Sequence, residues 1–216
     1  MLPALGTNAN LYAQQRPLWP RLVVPPWLEP THDESLRHYA RRMARQIKAL
    51  VDPRRPLVLG GASFGGMVAL EMASIIRPSR LLLVSSCFTG ESVSQAYQLV
   101  GRFIRYLPLR LVRPATLLLA TTTAMLDVID RVSERRHERM LATSSPRLVR
   151  WGGHAILRWQ YRGEPPCPRL HIHGSDDQVL PLSAVSPDVV IPGAGHLPTL
   201  THPHAVNRIL ADTLSD

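Results

Sequence analysis

The sequence predicts an α/β protein with a mostly parallel sheet of about six strands and helices on both faces of the sheet. Short apolar runs suited to buried strands alternate with segments in which apolar residues recur at helical spacing. One of these strands leads through a glycine-rich turn directly into a helix. A long stretch with helical signals alone interrupts the alternation, which indicates a helical insertion between two strands.

The predicted strands are short apolar runs, as expected for a parallel sheet that is covered on both faces. They cover residues 1–2, 21–24, 57–60, 80–85, 169–173 and 188–191. The first is a stub, because only Met1 and Leu2 precede Pro3. The second is stopped by two consecutive prolines, which cannot donate to a ladder of hydrogen bonds.

The clearest helical spacing lies in residues 33–50, which place apolar side chains on one face and arginines on the other. Thr31 or Asp33 could cap the start of this helix, and Pro53 prevents its continuation. Further helices are predicted near residues 11–15, 64–76 and 203–214. Residues 91–163 carry only helical signals, with breaks at Pro108, Pro114, Pro146 and Gly152-Gly153.

These elements predict one domain with an insertion. Residues 1–90 and 164–216 would form the core, and residues 91–163 would form a helical lid. The insertion leaves the sheet on the side of the glycine-rich turn, so it would cover the edge at which parallel strands present their ligands. The simpler alternative is a structural cap with a solvated basic face.

The charge of the chain is strongly positive and unevenly spread. The formal net charge is +9, and Lys48 is the only lysine. Thirteen arginines and six acidic residues lie between Glu91 and Arg169. No nucleic-acid recognition motif accompanies these arginines, so we expect no nucleic-acid partner. They could steer an anionic substrate, although a solvated arginine face is the simpler interpretation.

The cysteine content and the apolar stretches exclude several classes of protein. Cys87 and Cys167 are too few for a disulfide framework, and the chain has no spacing typical of a metal site. Residues 115–129 form the longest apolar stretch, which is too short to span a bilayer. No signal peptide is visible at the start of the sequence, so we expect a cytoplasmic protein without a membrane span.

The glycine-rich turn reads Gly61-Ala62-Ser63-Phe64-Gly65. This pattern fits a nucleophile elbow, in which a strained strand-to-helix turn lifts a serine hydroxyl above the edge of the sheet. The pattern alone could be an ordinary turn. The strand before it and the helix after it are the context that an elbow requires, and they favour a nucleophilic Ser63.

A serine hydroxyl is a poor nucleophile unless a base removes its proton and a third group orients that base. Asp176 and Asp177 follow the predicted strand at residues 169–173, and His196 follows the last strand. Because the carboxyl ends of parallel strands meet at one edge of a sheet, these residues should approach Ser63. His171 and His173 alternate within their strand and more simply support this edge.

In these motifs the chain resembles serine hydrolases of the α/β-hydrolase fold, similar to small bacterial esterases and to carboxylesterases that act on acyl-carrier-protein methyl esters. The resemblance implies Ser63 as the nucleophile and His196 as the general base. Gly174, Asp177 and Pro181 match the family's spacing around its acid, which favours Asp177 over Asp176. The resemblance implies no metal and no organic cofactor.

The resemblance also implies an oxyanion hole made of two backbone amides. The first would be the amide of Phe64, and the second would be the amide of Leu5 in the loop after the stub strand. Many relatives carry His-Gly where this chain has Pro3-Ala4. The family's two strands before this loop are not in the given sequence, so either this is a minimal version with a stub strand or the sequence as given starts late. In both cases we expect an α/β-hydrolase fold that lacks its first strands.

The substrate expected from this resemblance is a small-molecule ester or acyl thioester, and an acyl-carrier protein or acyl-CoA could present the acyl group. Candidate pocket residues, each of which could equally be core, are Cys87, Phe88, Tyr97, Leu118, Met125 and Trp159. A lyase of the same fold, like the menaquinone-pathway enzyme that eliminates pyruvate, would need arginines inside the pocket. A non-catalytic hydrolase-like binding protein would have a malformed loop at Leu5.

Overall fold

The computed structural model describes residues 1–126 and 131–214, and for residues 119–126 and 131–132 it describes the backbone only. Its sheet contains four parallel strands in the order β1-β2-β3-β4 among the described residues. Their bounds are Val58–Ala62, Arg80–Val84, Arg169–Gly174 and Val189–Ile191. The predicted α/β class and parallel sheet are confirmed, and the predicted number of about six strands is wrong.

The two predicted strands that are missing lie near the start of the chain. Leu2 makes a single parallel bridge to Gly61, in which its amide donates to Gly60 O at 2.7 Å. Pro3 has no N–H group with which to continue this ladder. Residues 21–24 form no strand, although the amino group of Met1 donates to Val23 O at 2.8 Å. Pro20 and Pro25 bound that segment, and neither has an N–H group with which a ladder could extend beyond it.

Helices cover both faces of the sheet, as predicted. On one face, α1 (Leu36–Lys48) packs on α2 (Phe64–Ile76), and both bury apolar side chains against Leu81 and Leu83 of β2. On the other face, α8 (Pro203–Leu214) packs against Leu82 and strands β3 and β4. Successive side chains of β2 point to opposite faces of the sheet, so the core has two layers.

The first helix begins later than its periodicity suggests. Its cap is Ser35, whose hydroxyl accepts a hydrogen bond from His38 N at 3.2 Å, so the cap is neither Thr31 nor Asp33. Asp33 has a positive φ of 54°, which is incompatible with a helical residue. The buried face carries Tyr39 and Met43, in agreement with the helical spacing of the sequence.

Among the described residues, four α-helices lie between β2 and β3. They are α3 (Gln95–Ile104), α4 (Leu109–Leu126), α5 (Arg131–Ala142) and α6 (Pro146–Leu157). Pro146 begins α6 behind the cap Ser145, whereas Pro114 lies inside α4 and does not break it. Helix α6 packs against α3, α4 and α1, which joins this segment to the core. A short α7 (Pro198–Thr201) precedes α8. None of the helices in the described part of the chain is long and apolar enough to cross a membrane.

The turn between β1 and α2 brings three pieces of backbone into contact. A Cβ atom at Gly61 would overlap the backbone of Gly65, and one at Gly65 would overlap the carbonyl groups of Leu2 and Pro3. Between the two glycines, Ser63 has a φ of 51° and a ψ of −121°, a combination that non-glycine residues rarely adopt. The strand, the helix and the amino-terminal loop are therefore in close backbone contact around Ser63.

We predict that Gly61→Ala destabilises the protein by about 2 kcal/mol or more, because the new methyl group meets backbone that cannot rotate away. Gly153→Ala is the matched control. There the nearest atom is a side-chain methyl of Ile104 at 3.3 Å, and alanine is favoured over glycine inside a helix by about 1 kcal/mol. Urea unfolding of both variants measures the difference, and equal destabilisation would contradict the interpretation of the turn.

Candidate active site

Ser63 lies at the carboxyl end of β1, where the positive φ of the turn lifts its side chain above the sheet. Its backbone is fixed on both sides, since its amide donates to Val84 O at 2.9 Å and its carbonyl accepts from Ser86 Oγ at 2.9 Å. Both partners belong to the end of β2 and the residues after it. The neighbouring strand thus fixes the position of the hydroxyl.

Asp177 and His196 reach the same edge from the loops after β3 and β4. The two loops are joined directly, because Asp176 N donates to Ala194 O at 2.9 Å and Gly193 N donates to Ser175 Oγ at 2.8 Å. His196 Nε2 is 2.9 Å from Ser63 Oγ, and His196 Nδ1 is 2.8 Å from Asp177 Oδ2. The structure therefore brings Ser63, His196 and Asp177 into one hydrogen-bonded row.

The directions of these hydrogen bonds follow from the carboxylate. An ionised carboxylate can only accept hydrogen bonds, so His196 Nδ1 carries the hydrogen that faces it. In the neutral imidazole, Nε2 then has a free lone pair and accepts the hydroxyl hydrogen of Ser63. This arrangement of hydrogens is the one needed to remove a proton from the serine.

The charge of Asp177 is buried and well compensated. Burial alone would raise its pKa, but His196, His173 and the Leu180 amide outweigh burial and hold the pKa well below its usual range. Oδ1 accepts hydrogen bonds from Val179 N at 2.9 Å and from Leu180 N at 2.8 Å. Asp177 therefore stays ionised wherever the protein is folded at ordinary pH.

Asp176, the alternative acid, faces the solvent. Its Oδ1 accepts a hydrogen bond from Ser175 Oγ at 2.6 Å, and its side chain is exposed. It braces the loop next to Asp177 and has no contact with His196 among the described hydrogen bonds. Of these two adjacent aspartates, Asp177 is thus a buried hydrogen-bond acceptor and Asp176 is a surface residue.

The two predicted oxyanion donors flank Ser63. Phe64 is the first residue of α2, so its amide has no partner within the helix. Leu5 follows the Leu2–Pro3 backbone that lies against Gly65, and it lines the same cavity as Ser63. Neither amide donates to a backbone carbonyl in the described part of the chain.

A cavity of about 220 Å³ opens next to Ser63 and His196. Its walls come from the amino-terminal loop, α3, α5, α6 and the loop before Leu180, and they are mainly aliphatic. The aliphatic residues include Met67, Val93, Val100, Ile104, Leu141, Val149, Ile156, Leu157, Val179, Leu180 and Leu197. No arginine, lysine, aspartate or glutamate lines the cavity among the described residues. The cavity suits an apolar group.

Of the predicted pocket residues, Tyr97 lines the cavity and three others lie elsewhere. Cys87 is fully buried, and its thiol donates to Thr89 O at 3.1 Å, while burial raises its pKa to about 12. Phe88 packs edge-on against Tyr161. Trp159 is buried in the core and donates from Nε1 to Glu71 Oε1 at 2.8 Å. The structure corrects the prediction for these three residues, which pack in the core and at its rim.

The two remaining pocket predictions fall on α4. Leu118 is 68% exposed and does not line the cavity, because it lies on the outer face of the helix. The side chain of Met125 lies outside the described residues. Phe64, whose amide is the predicted donor, turns its ring into an aromatic cluster with Trp27, Tyr39 and Trp151.

The sequence analysis missed His137, which lines the cavity from α5. Burial lowers its pKa to about 4, and the neighbouring His196 adds to this effect. His137 is therefore neutral near pH 7. Helical spacing could have found it, since Ser133, Met140 and Leu141 are buried on the same face. No group of His, Cys, Asp and Glu suited to a metal ion occurs among the residues that the structure describes.

Comparison with known proteins agrees with this architecture. A sequence model of the alpha/beta hydrolase family matches residues 2–209. The chain belongs to this family. A thermophilic esterase from Thermogutta terrifontis superposes on this alpha/beta hydrolase with a TM-score of 0.78 and 20% identity, over 99% of this chain and 88% of the esterase. MenH from S. aureus superposes with a TM-score of 0.73 and 16% identity, over 99% and 91% of the two chains. These similarities show the fold.

One curated relative matches this alpha/beta hydrolase over a short segment. The thioesterase pytI of Aspergillus terreus is 48% identical over 44 residues. That segment is 20% of this chain and 14% of the thioesterase. The structural and sequence relatives thus include proteins named as esterases and as a thioesterase.

We predict that Asp177→Asn lowers the melting temperature most near neutral pH. The pKa of Asp177 is lower in the folded protein than its usual value of about 4, so its ionisation stabilises the fold above that pH. This stabilisation disappears as the pH falls through 4 towards the folded pKa. The difference between wild type and Asp177→Asn should therefore shrink between pH 5 and pH 3, as thermal unfolding would show.

Asp176→Asn is the control for this measurement, because it removes one carboxylate from the same loop without removing a buried charge. Its melting temperature should follow that of the wild type at every pH. A pH-independent loss in Asp177→Asn, or the same pH dependence in both variants, would show that the buried carboxylate does not supply this stabilisation.

Proposed function

We propose that this protein is a serine hydrolase that cleaves a carboxylic ester or thioester through an acyl-enzyme on Ser63. The observation that carries the proposal is the row from Ser63 Oγ through His196 to the buried Asp177 carboxylate, at the wall of an aliphatic cavity. In this proposal Ser63, His196 and Asp177 form a catalytic triad. The amides of Leu5 and Phe64 form the oxyanion hole.

The first half of the reaction transfers the acyl group to the enzyme. His196 Nε2 takes the hydroxyl proton of Ser63 as Oγ attacks the carbonyl carbon, and the carbonyl oxygen becomes an oxyanion. Asp177 stabilises the imidazolium that forms, while the two amides donate to the oxyanion. The bond to the alcohol or thiol then breaks, and His196 returns the proton to the leaving group.

The second half releases the acid by the same steps in reverse. Water takes the place of the leaving group, and His196 removes its proton as the oxygen attacks the acyl carbon. The oxyanion forms again beside the amides of Leu5 and Phe64. When it collapses, Ser63 Oγ leaves and recovers its proton from His196, so the enzyme is regenerated.

The lining of the cavity separates the hydrolase from the alternative lyase. A lyase acting on a dicarboxylate would need buried arginines to hold it, whereas no charged side chain lines the described cavity. An unpaired carboxylate in an aliphatic cavity is costly. The lining therefore favours an uncharged acyl group. An ordered triad is also more than a binding protein requires, which argues against a non-catalytic role.

We also propose that residues 91–163 act as a lid over a core formed by residues 1–90 and 164–216. Helices α3, α5 and α6 of this segment supply much of the cavity wall. Arg102, Arg105, Arg135 and Arg139 are exposed on its surface, and Arg136 is half-buried. This positive surface would suit an acyl group presented on an anionic carrier, such as an acyl-carrier protein or coenzyme A.

We predict that Ser63→Ala abolishes both p-nitrophenyl butyrate hydrolysis and labelling by a fluorophosphonate. Loss of the nucleophile should lower kcat on the order of 10⁶-fold, because no other group can form the acyl-enzyme. Ser74→Ala is the matched control, since Ser74 is exposed on the same helix and its hydroxyl donates to Glu71 O. A wild-type protein that neither turns over nor labels would refute the proposed hydrolase.

The aliphatic cavity predicts how kcat/KM changes with the acyl group of the substrate. Two further buried methylene groups should make kcat/KM for p-nitrophenyl butyrate about 10-fold higher than for the acetate. The p-nitrophenyl monoester of succinate should be at least roughly 100-fold poorer than butyrate, because its carboxylate would lie unpaired in the cavity. A preference for the succinate ester would contradict the role of this cavity and favour a dicarboxylate substrate.

A further inference from the structure

A second buried imidazole contacts the carboxylate of Asp177. His173 lies on β3 and is fully buried. Its Nε2 atom is 2.8 Å from Leu180 O and 3.2 Å from Asp177 Oδ2. His196 donates to this carboxylate, and the Nε2–H group of His173, which donates to Leu180 O, lies 3.2 Å from the same carboxylate oxygen.

The hydrogen positions on His173 follow from its neighbours. Leu180 O and the ionised Asp177 are both acceptors, so Nε2 must carry a hydrogen. The other nitrogen, Nδ1, is 3.3 Å from His171 Nε2. Because the hydrogen of the neutral His173 ring is on Nε2, Nδ1 is an acceptor, so His171 Nε2 donates to it.

His173 and Asp177 together clamp Leu180. The amide of Leu180 donates to Asp177 Oδ1 at 2.8 Å, and its carbonyl accepts from His173 Nε2 at 2.8 Å. The loop that carries the acid is therefore tied to β3 at its far end. Since Leu180 also lines the cavity, the same clamp fixes one wall of the site.

The other titratable groups around His173 and Asp177 do not change the hydrogen positions described above near neutral pH. Burial lowers the pKa of His171 to about 4, so it stays neutral. Burial also keeps the Cys87 thiol, which faces Asp177, in its neutral form. Arg169 and Asp188 lie next to His171 and pair with each other at 3.6 Å. His196 is the remaining neighbour of the carboxylate.

We propose that His173 is a positioning residue, which holds the Asp177 carboxylate towards His196. Its Nε2–H group donates to Leu180 O and lies 3.2 Å from Asp177 Oδ2, and His171 fixes its tautomer. This role rests on the proposed function of Ser63, His196 and Asp177. The row then extends from the cavity into the sheet as Ser63, His196, Asp177, His173 and His171. His173 does not line the cavity, and it acts through Asp177 and through the carbonyl of Leu180.

Loss of the His173 donor has two expected consequences. The carboxylate could rotate away from His196, and a small misplacement of a catalytic group costs turnover up to about 100-fold. The carboxylate would also lose part of the compensation of its charge, so it would hold the His196 proton more strongly. The acid limb of the profile of kcat/KM against pH should therefore move to higher pH, which a general loss of packing would not cause.

The test compares His173→Gln with His173→Leu. Glutamine places an amide N–H near the position of Nε2, whereas leucine fills the space without a donor. We expect kcat in His173→Leu to fall about 10- to 100-fold with KM nearly unchanged and the acid limb raised. His173→Gln should recover most of kcat and the wild-type limb. The side chain of His173→Asn is too short for its amide to reach Oδ2, so this variant should behave like His173→Leu. If His173→Leu does not fold, His173→Asn takes its place in the comparison.

Ile172→Ala, on the same strand and equally buried, is the packing control. It should lower the melting temperature, while kcat per fluorophosphonate-labelled site and the acid limb stay at wild-type values. The proposal would be overturned if the acid limb of the pH profile kept its wild-type position in both His173→Leu and His173→Asn. It would also be overturned if kcat fell as far in His173→Gln as in His173→Leu. A wild-type enzyme without turnover would instead overturn the proposed function, on which this role depends.

Discussion

The buried negative charge of Asp177 is the constraint on which the rest of the site depends. A carboxylate that is only 3% exposed is stable in its ionised form because two backbone amides and the His196 imidazole donate to it and the Nε2–H group of His173 lies 3.2 Å away. Those groups come from its own loop, from β3 and from the loop after β4. Satisfying one charge thus fixes the relative positions of three segments, and the orientation of His196 follows from them.

The parallel sheet supplies what this constraint needs. All four strands end at one edge, so the turn after β1 and the loops after β3 and β4 meet without a long connection. The turn at Ser63 adds a second constraint, because the glycines around it allow α2 and the Leu2–Pro3 backbone to touch. Strain at Ser63 is offset by its hydrogen bonds to the end of β2.

The sequence was sufficient to predict local features and insufficient for those that depend on packing. The strand, turn and helix around Ser63 and the loops that carry Asp177 and His196 are local, so their places could be predicted. The number of strands could not be predicted, because a short segment such as the one at Leu2 becomes a strand only where a partner strand pairs with it. The same holds for the pocket, since only packing directs His137 inward and Trp159 into the core.

The distribution of charge between the cavity and its surroundings bears on what the protein acts upon. Arg102 of α3 and Arg135 and Arg139 of α5 are exposed, whereas the described cavity beneath these helices has no charged wall. An anionic group attracted by the arginines would therefore remain outside while an apolar group entered. A substrate with its charge on the leaving group and an aliphatic acyl chain meets both conditions, and an acyl thioester of an acidic carrier is such a substrate. A free dicarboxylate would place its charge inside the cavity, where nothing described could compensate it.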